Sequence, residues 1–94
     1  MQTSVEISFY PIRDAYLEPI EAVIASLEAA PDVEIAVNPM STQVYGEYGA
    51  VMAAVTTAMA PALEKAPGAF VLKVLGIDAR APHPRPSGAG RPEE

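Results

Sequence analysis

The run Val33-Glu34-Ile35-Ala36-Val37-Asn38-Pro39-Met40-Ser41-Thr42-Gln43-Val44-Tyr45 holds two short alternating segments on either side of an Asn-Pro turn. In residues 33–38 every second side chain is apolar, the period of a strand covered on one face. Asn38-Pro39 is turn chemistry, and residues 41–45 alternate again as an antiparallel return strand. A hairpin therefore sits in the middle of the chain, and what flanks it decides the architecture. Upstream, residues 13–30 carry Ile20, Val23, Ile24 and Leu27 at i, i+3, i+4 and i+7, one apolar stripe of a helix. Pro19 suits a first helical turn and Pro31 closes the element. Further out, Val5-Glu6-Ile7-Ser8-Phe9-Tyr10 alternates and Pro11 ends it.

Downstream, Gly46 is expected to break the return strand, and the helical period resumes at Glu47, with Tyr48, Val51, Met52, Val55 and Met59 on one face. Pro61 should kink or split this helix, since it removes a backbone donor and crowds the preceding turn. Pro67-Gly68 ends it. Phe70-Val71-Leu72-Lys73-Val74-Leu75 is almost wholly apolar, as a central or interface strand would be. The order is thus βαββαβ. It predicts an α+β, ferredoxin-like sandwich: a four-stranded antiparallel sheet with two helices on one face and the other face open.

Length allows one domain, placed at residues 1–78. Residues 79–94 are rich in proline (Pro82, Pro84, Pro86) with Gly, Ser and Arg, and are expected to form a disordered tail. A domain of this size buries only roughly 60–65% of its extended surface, a first argument for self-association. Residues 1–78 hold three basic side chains, Arg13, Lys65 and Lys73, against ten acidic ones. So few scattered cations make no surface for phosphates, which argues against nucleic acid. The acidity would attract cations or simply keep the protein soluble. There is no cysteine, and the only histidine, His83, lies among prolines. No metal, cofactor or catalytic residue is expected. No signal-like opening and no long apolar run occurs, so a cytoplasmic protein with no membrane partner is expected.

Alternation also assigns the two sheet faces. Val5, Ile7, Phe9, Val33, Ile35, Val37, Thr42, Val44, Phe70, Leu72 and Val74 turn toward the helices. The open face then carries Glu6, Ser8, Tyr10, Glu34, Ala36, Asn38, Ser41, Gln43, Tyr45, Val71, Lys73 and Leu75. Tyrosines, small hydroxyls, an amide and a Val/Leu pair suit a surface that a partner covers and that encloses polar ligand contacts. The same mixture suits a dimer interface with no ligand. Either way a homo-oligomer, at least a dimer, is expected, because Tyr10, Tyr45, Val71 and Leu75 form an apolar patch.

Two stretches go beyond this pattern. One is the first strand ending Tyr10-Pro11; the other is Met40-Ser41-Thr42-Gln43-Val44-Tyr45-Gly46-Glu47-Tyr48, followed by Val51-Met52. With Phe70-Val71-Leu72-Lys73-Val74 they resemble the YkoF-like family of thiamin/hydroxymethylpyrimidine-binding proteins and the related single-domain thiamin-binding proteins. YkoF-type members carry two such modules in one chain, and this chain has one.

The resemblance implies binding of thiamin or its hydroxymethylpyrimidine part for salvage or transport, without chemistry. An aminopyrimidine sets ring-nitrogen acceptors beside an amine donor, and the amide of Gln43 complements both. Tyr10 or Tyr45 would stack on the ring, and Glu6 or Glu34 would face the thiazolium. Ser8, Ser41 and Thr42 would complete the polar contacts, although alternation turns Thr42 toward the helices. Tyr48 reads better as the first core residue of the second helix, and Met40 as packing. Two alternatives stand beside this reading: a small dimeric enzyme on the same fold, and a regulatory or structural interaction module.

Overall fold

The computed structural model describes residues 1–12, 14–15 and 17–80. Its elements follow in the expected order: β1 (Gln2–Pro11), α1 (Leu17–Glu28), β2 (Val33–Val37), β3 (Thr42–Glu47), α2 (Tyr48–Lys65) and β4 (Gly68–Leu75). The strands form one sheet in the order β2-β3-β1-β4, with every neighbouring pair antiparallel. This is the ferredoxin-like α+β fold.

Register follows from alternation. Val5 stands opposite Val44 on one side and Val74 on the other; Ile7 stands between Thr42 and Leu72. These inward residues meet α1 through Val23 and Leu27, and α2 through Val51, Ala54, Val55 and Ala58. Leu27, Val44, Val51 and Val55 are completely buried. Phe9 and Phe70, cross-strand partners, stack with ring centroids 4.2 Å apart at one end of this core.

Several local expectations need correction. Tyr48 is 45% exposed and no core residue; α2 packs through Ala54 and Ala58, small enough to let α1 approach. Pro61 does not split α2, which continues to Lys65. Buried Ala58 before the proline and partly buried Ala62 after it are both packed on the core, which holds the flanking turns in place. β4 is an edge strand rather than a central one: Phe70 and Leu72 pack inward, while Val71, Val74 and Leu75 are about half exposed. Val37 and Val74, both assigned to the helix side, lie at the sheet's margins and are 50% and 49% exposed.

Gly46 does not end β3 but lies within it, paired with Thr3 and Val33. Its φ of +156° and a clearance of 2.9 Å between the site of a Cβ and the Asp32 carbonyl oxygen make glycine necessary there. Of the tail expected at residues 79–94, residues 81–94 lie outside the described residues. Ala79 and Arg80 are described, and both are bonded to the rest of the domain.

Two glycines three positions apart should respond in opposite directions. Gly46→Ala forces an L side chain into a strained backbone and against Asp32, and should cost about 1–3 kcal/mol. Gly49→Ala meets nothing within 4 Å on α2 and should be neutral or stabilising by up to ~1 kcal/mol. Urea denaturation of both variants checks this; equal effects would contradict the assigned conformation at Gly46.

Candidate functional site

The site begins with the parity of β1. Because Val5 and Ile7 point to the helices, Ser4, Glu6, Ser8 and Tyr10 point to the open face. Glu6 lies opposite Gln43 of β3 and Lys73 of β4, which brings a carboxylate, an amide and an ammonium into one row. The β2–β3 turn adds to it. Asn38 Oδ1 accepts hydrogen bonds from the backbone N–H groups of Met40 (2.8 Å) and Ser41 (3.0 Å), and the Asn38 N–H donates to the Ser41 carbonyl at 3.0 Å. That Asx turn leaves the Asn38 amide nitrogen directed along the sheet.

The polar side chains then join in sequence. Asn38 Nδ2 donates to Gln43 Oε1 (3.2 Å), Gln43 Nε2 to Ser41 Oγ (2.7 Å), and Ser41 Oγ to Glu6 Oε2 (2.9 Å). Lys73 Nζ lies 3.5 Å from Glu6 Oε1 and balances its charge. All three hydrogen bonds donate toward the carboxylate, so each strengthens the next. An amide has two donors and two lone pairs, and Gln43 spends one of each here. Among the described residues, one N–H and one lone pair of Gln43 are left for another molecule. Beside this relay is an open cleft of about 460 Å³ bordered by Ser8, Tyr10, Met40 and Val71. Tyr10 is 57% and Met40 85% exposed, so the polar row has an apolar wall.

A second cluster occupies the other end of the open face, where the chain returns after β4. Ser4 Oγ donates to the Ile77 carbonyl and accepts from the Ala79 N–H, each at 2.8 Å, which buries Ser4. This clamp sets down Arg80 beyond it. The guanidinium lies 5.3 Å from the ring centroid of Tyr45, donates through Nη1 to Glu34 at 2.6 Å, and forks onto Asp78 through Nε (2.8 Å) and Nη2 (2.9 Å). Asp78 first, then Glu34, hold it protonated even more firmly than an ordinary arginine.

The residues singled out in the sequence are therefore divided. Glu6, Ser8, Tyr10 and Ser41 line the cleft, and Gln43 joins Ser41 and Asn38 in the relay beside it without lining it. Tyr45 and Glu34 share the open face, as cross-strand partners, but lie under Arg80. Thr42 faces the helices and is buried. Asn38 and Lys73 belong to the relay, although sequence placed them only on the face. Ser4 and Arg80 were missed. Extending the alternation two residues back from Glu6 finds Ser4; nothing in the composition of residues 79–94 marks Arg80. Among the described residues no cluster of three metal-ligating side chains occurs, and no helix is long and apolar enough to cross a membrane.

No family model matches the sequence, and no curated protein matches it. Solved structures do. Protein SP2199 from Streptococcus pneumoniae superposes with a TM-score of 0.77 at 23% identity, over 86% of this chain and 92% of that one. A candidate thiamine biosynthesis/salvage protein, TM0486 from Thermotoga maritima, gives 0.70 at 21%, over 79% and 82%. A domain of unknown function, DUF77, from Bacillus cereus gives 0.66 at 20%, over 97% and 83%. At such identities the likeness is one of fold.

Ser4 holds the returning chain with one hydroxyl used twice. Ser4→Ala should cost roughly 1–3 kcal/mol, because it strips a partner from both the Ile77 carbonyl and the Ala79 N–H. Native-state hydrogen exchange should show the Ala79 amide losing protection while the β1–β3 amides keep theirs. Unchanged exchange at Ala79 would show that the segment is held by other contacts.

Proposed function

We propose that this protein binds thiamin or its hydroxymethylpyrimidine moiety on the open face of the sheet, without transforming it, in the service of salvage or transport. The observation that carries the reading is the Asn38–Gln43–Ser41–Glu6 relay beside an apolar-walled cleft. An aminopyrimidine needs a donor and an acceptor side by side, and Gln43 retains one of each in a fixed orientation. Tyr10 offers a ring face along the cleft. The sequence resemblance points to the same ligand, and the solved structures of like fold include the candidate thiamine biosynthesis/salvage protein. These lend weight to a related thiamin-binding family, and the YkoF-like proteins are one form of it.

The relay argues for holding a ligand rather than reacting with it. Glu6 already accepts from Ser41 and pairs with Lys73, so its charge is spent on order within the site. The reading includes a homo-oligomer, with a second copy covering the open face; Tyr10, Met40, Val71 and Leu75 are each at least half exposed in one chain. It also includes a single ligand-binding domain at residues 1–78 and the cytoplasmic location expected from the sequence.

Calorimetric titration with thiamin, hydroxymethylpyrimidine and choline tests it. Both pyrimidines should bind and choline should bind far more weakly. Gln43→Ala should weaken both pyrimidines by roughly 1–3 kcal/mol, since their polar edge loses its partner. No heat from either pyrimidine at high micromolar concentration would remove the proposal, as would undiminished binding of both by Gln43→Ala.

A further inference from the structure

Arg80 is a side chain of the protein placed where a cationic ligand would be placed. Its guanidinium lies over the Tyr45 ring, 5.3 Å from the centroid, with the Glu34 carboxylate 2.6 Å from Nη1. A ring face and a carboxylate at right distances for one cation are the two parts of a recognition site for organic ammonium and related ions. Both parts are built into the sheet: Tyr45 and Glu34 are cross-strand partners on β3 and β2. The occupant is not. It belongs to the segment after β4, which is fixed through Ser4.

We propose that Tyr45 and Glu34 form a subsite for a weakly hydrated organic cation, and that Arg80 fills it in cis until such a ligand displaces it. The cradle has the wrong chemistry for a metal ion, which needs several oxygens. It fits a cation whose charge is spread over a ring or buried under methyl groups, because such an ion gives up its water readily, as a guanidinium does. The two contacts that Arg80 gives up to a ligand, the Glu34 pair and the ring face, are replaced in kind by the ligand's own. Tethering nonetheless gives Arg80 a high effective concentration over the ring, so a free cation binds more weakly than the bare cradle would allow.

The inference deepens the proposed function, since thiamin's thiazolium is a cation of this class and Tyr45 follows Gln43 by two residues on the same face of β3. It is nonetheless testable without any pyrimidine. The probe is tetramethylammonium, followed through the ring resonances of Tyr45 in the intact chain. Arg80→Ala should tighten its binding by about threefold to tenfold, the factor by which in-cis occupancy reduces the free subsite. Arg80→Gln, which keeps more of the stem, should do the same. Lys65→Ala removes one positive charge at the far end of α2 and should leave the affinity within error of the starting protein. Adding Glu34→Gln to Arg80→Ala should abolish the gain.

An unchanged affinity in both Arg80 variants would overturn the proposal. So would an equal gain in Lys65→Ala, which would mean that net charge alone is at work. A gain that persists with Glu34→Gln would place the cation elsewhere. Hydroxymethylpyrimidine, being neutral, should bind the Arg80 variants and the starting protein alike. If it binds neither while tetramethylammonium behaves as stated, the pyrimidine reading fails and the cation subsite stands.

Discussion

Val5 stands between Val44 and Val74 in the sheet, and one residue further on Glu6 stands between Gln43 and Lys73. This double pairing of β1 constrains everything else. Inward, the odd-numbered residues of β1 meet the helices and build the core. Outward, the even-numbered ones bring the polar row together. A slip of one residue would exchange the two sets, driving Glu6 into a core of Val, Ile and Leu and leaving Val5 and Ile7 in water. The cost of burying an unpaired carboxylate there far exceeds what any polar contact on the open face supplies. The core thus enforces the register, and the register in turn assembles the site.

The outward face is held by a different kind of force. No member of the Asn38–Gln43–Ser41–Glu6 relay is deeply buried, so each hydrogen bond exchanges against water and stabilises little by itself. What the relay contributes is orientation. Three side chains with free rotors are fixed by one Asx turn at one end and one ion pair at the other. Ordering them during folding removes an entropic cost that a ligand would otherwise meet on binding.

The architecture was legible because both periods are clear: two in the strands, 3.6 in α1, with Asn38-Pro39 and Pro31 at the joints. The same alternation placed Glu6, Ser8, Tyr10, Ser41 and Gln43 on one face and turned Thr42 away from it. Its failures have physical causes. Alanine carries little weight in an apolar pattern, so the periodicity of α2 points to Tyr48 and passes over the buried Ala54 and Ala58. Gly46 reads as a terminator by composition, but a strand accepts glycine where a neighbouring carbonyl comes close. Thr3 and Ser4 are buried polar residues at a strand's start, and polarity concealed them. Arg80 is brought to Tyr45 by the two hydrogen bonds that join Ser4 to Ile77 and Ala79, contacts across 73 and 75 positions of chain that no local pattern encodes.

Lys73 has a consequence beyond its pairing with Glu6. β4 is an outer strand of eight residues, and its run Ala69-Phe70-Val71-Leu72-Lys73-Val74-Leu75 contains one charge and no proline. Such a segment, with no strand along its outer side among the described residues, has the character of a template on which other chains can stack into fibrils. The ammonium at its centre is 77% exposed and would have to be desolvated for a second β4 to pair alongside. The residue that pairs with Glu6 thus also sets a hydrated charge on the exposed strand, where it opposes the pairing of one β4 with another.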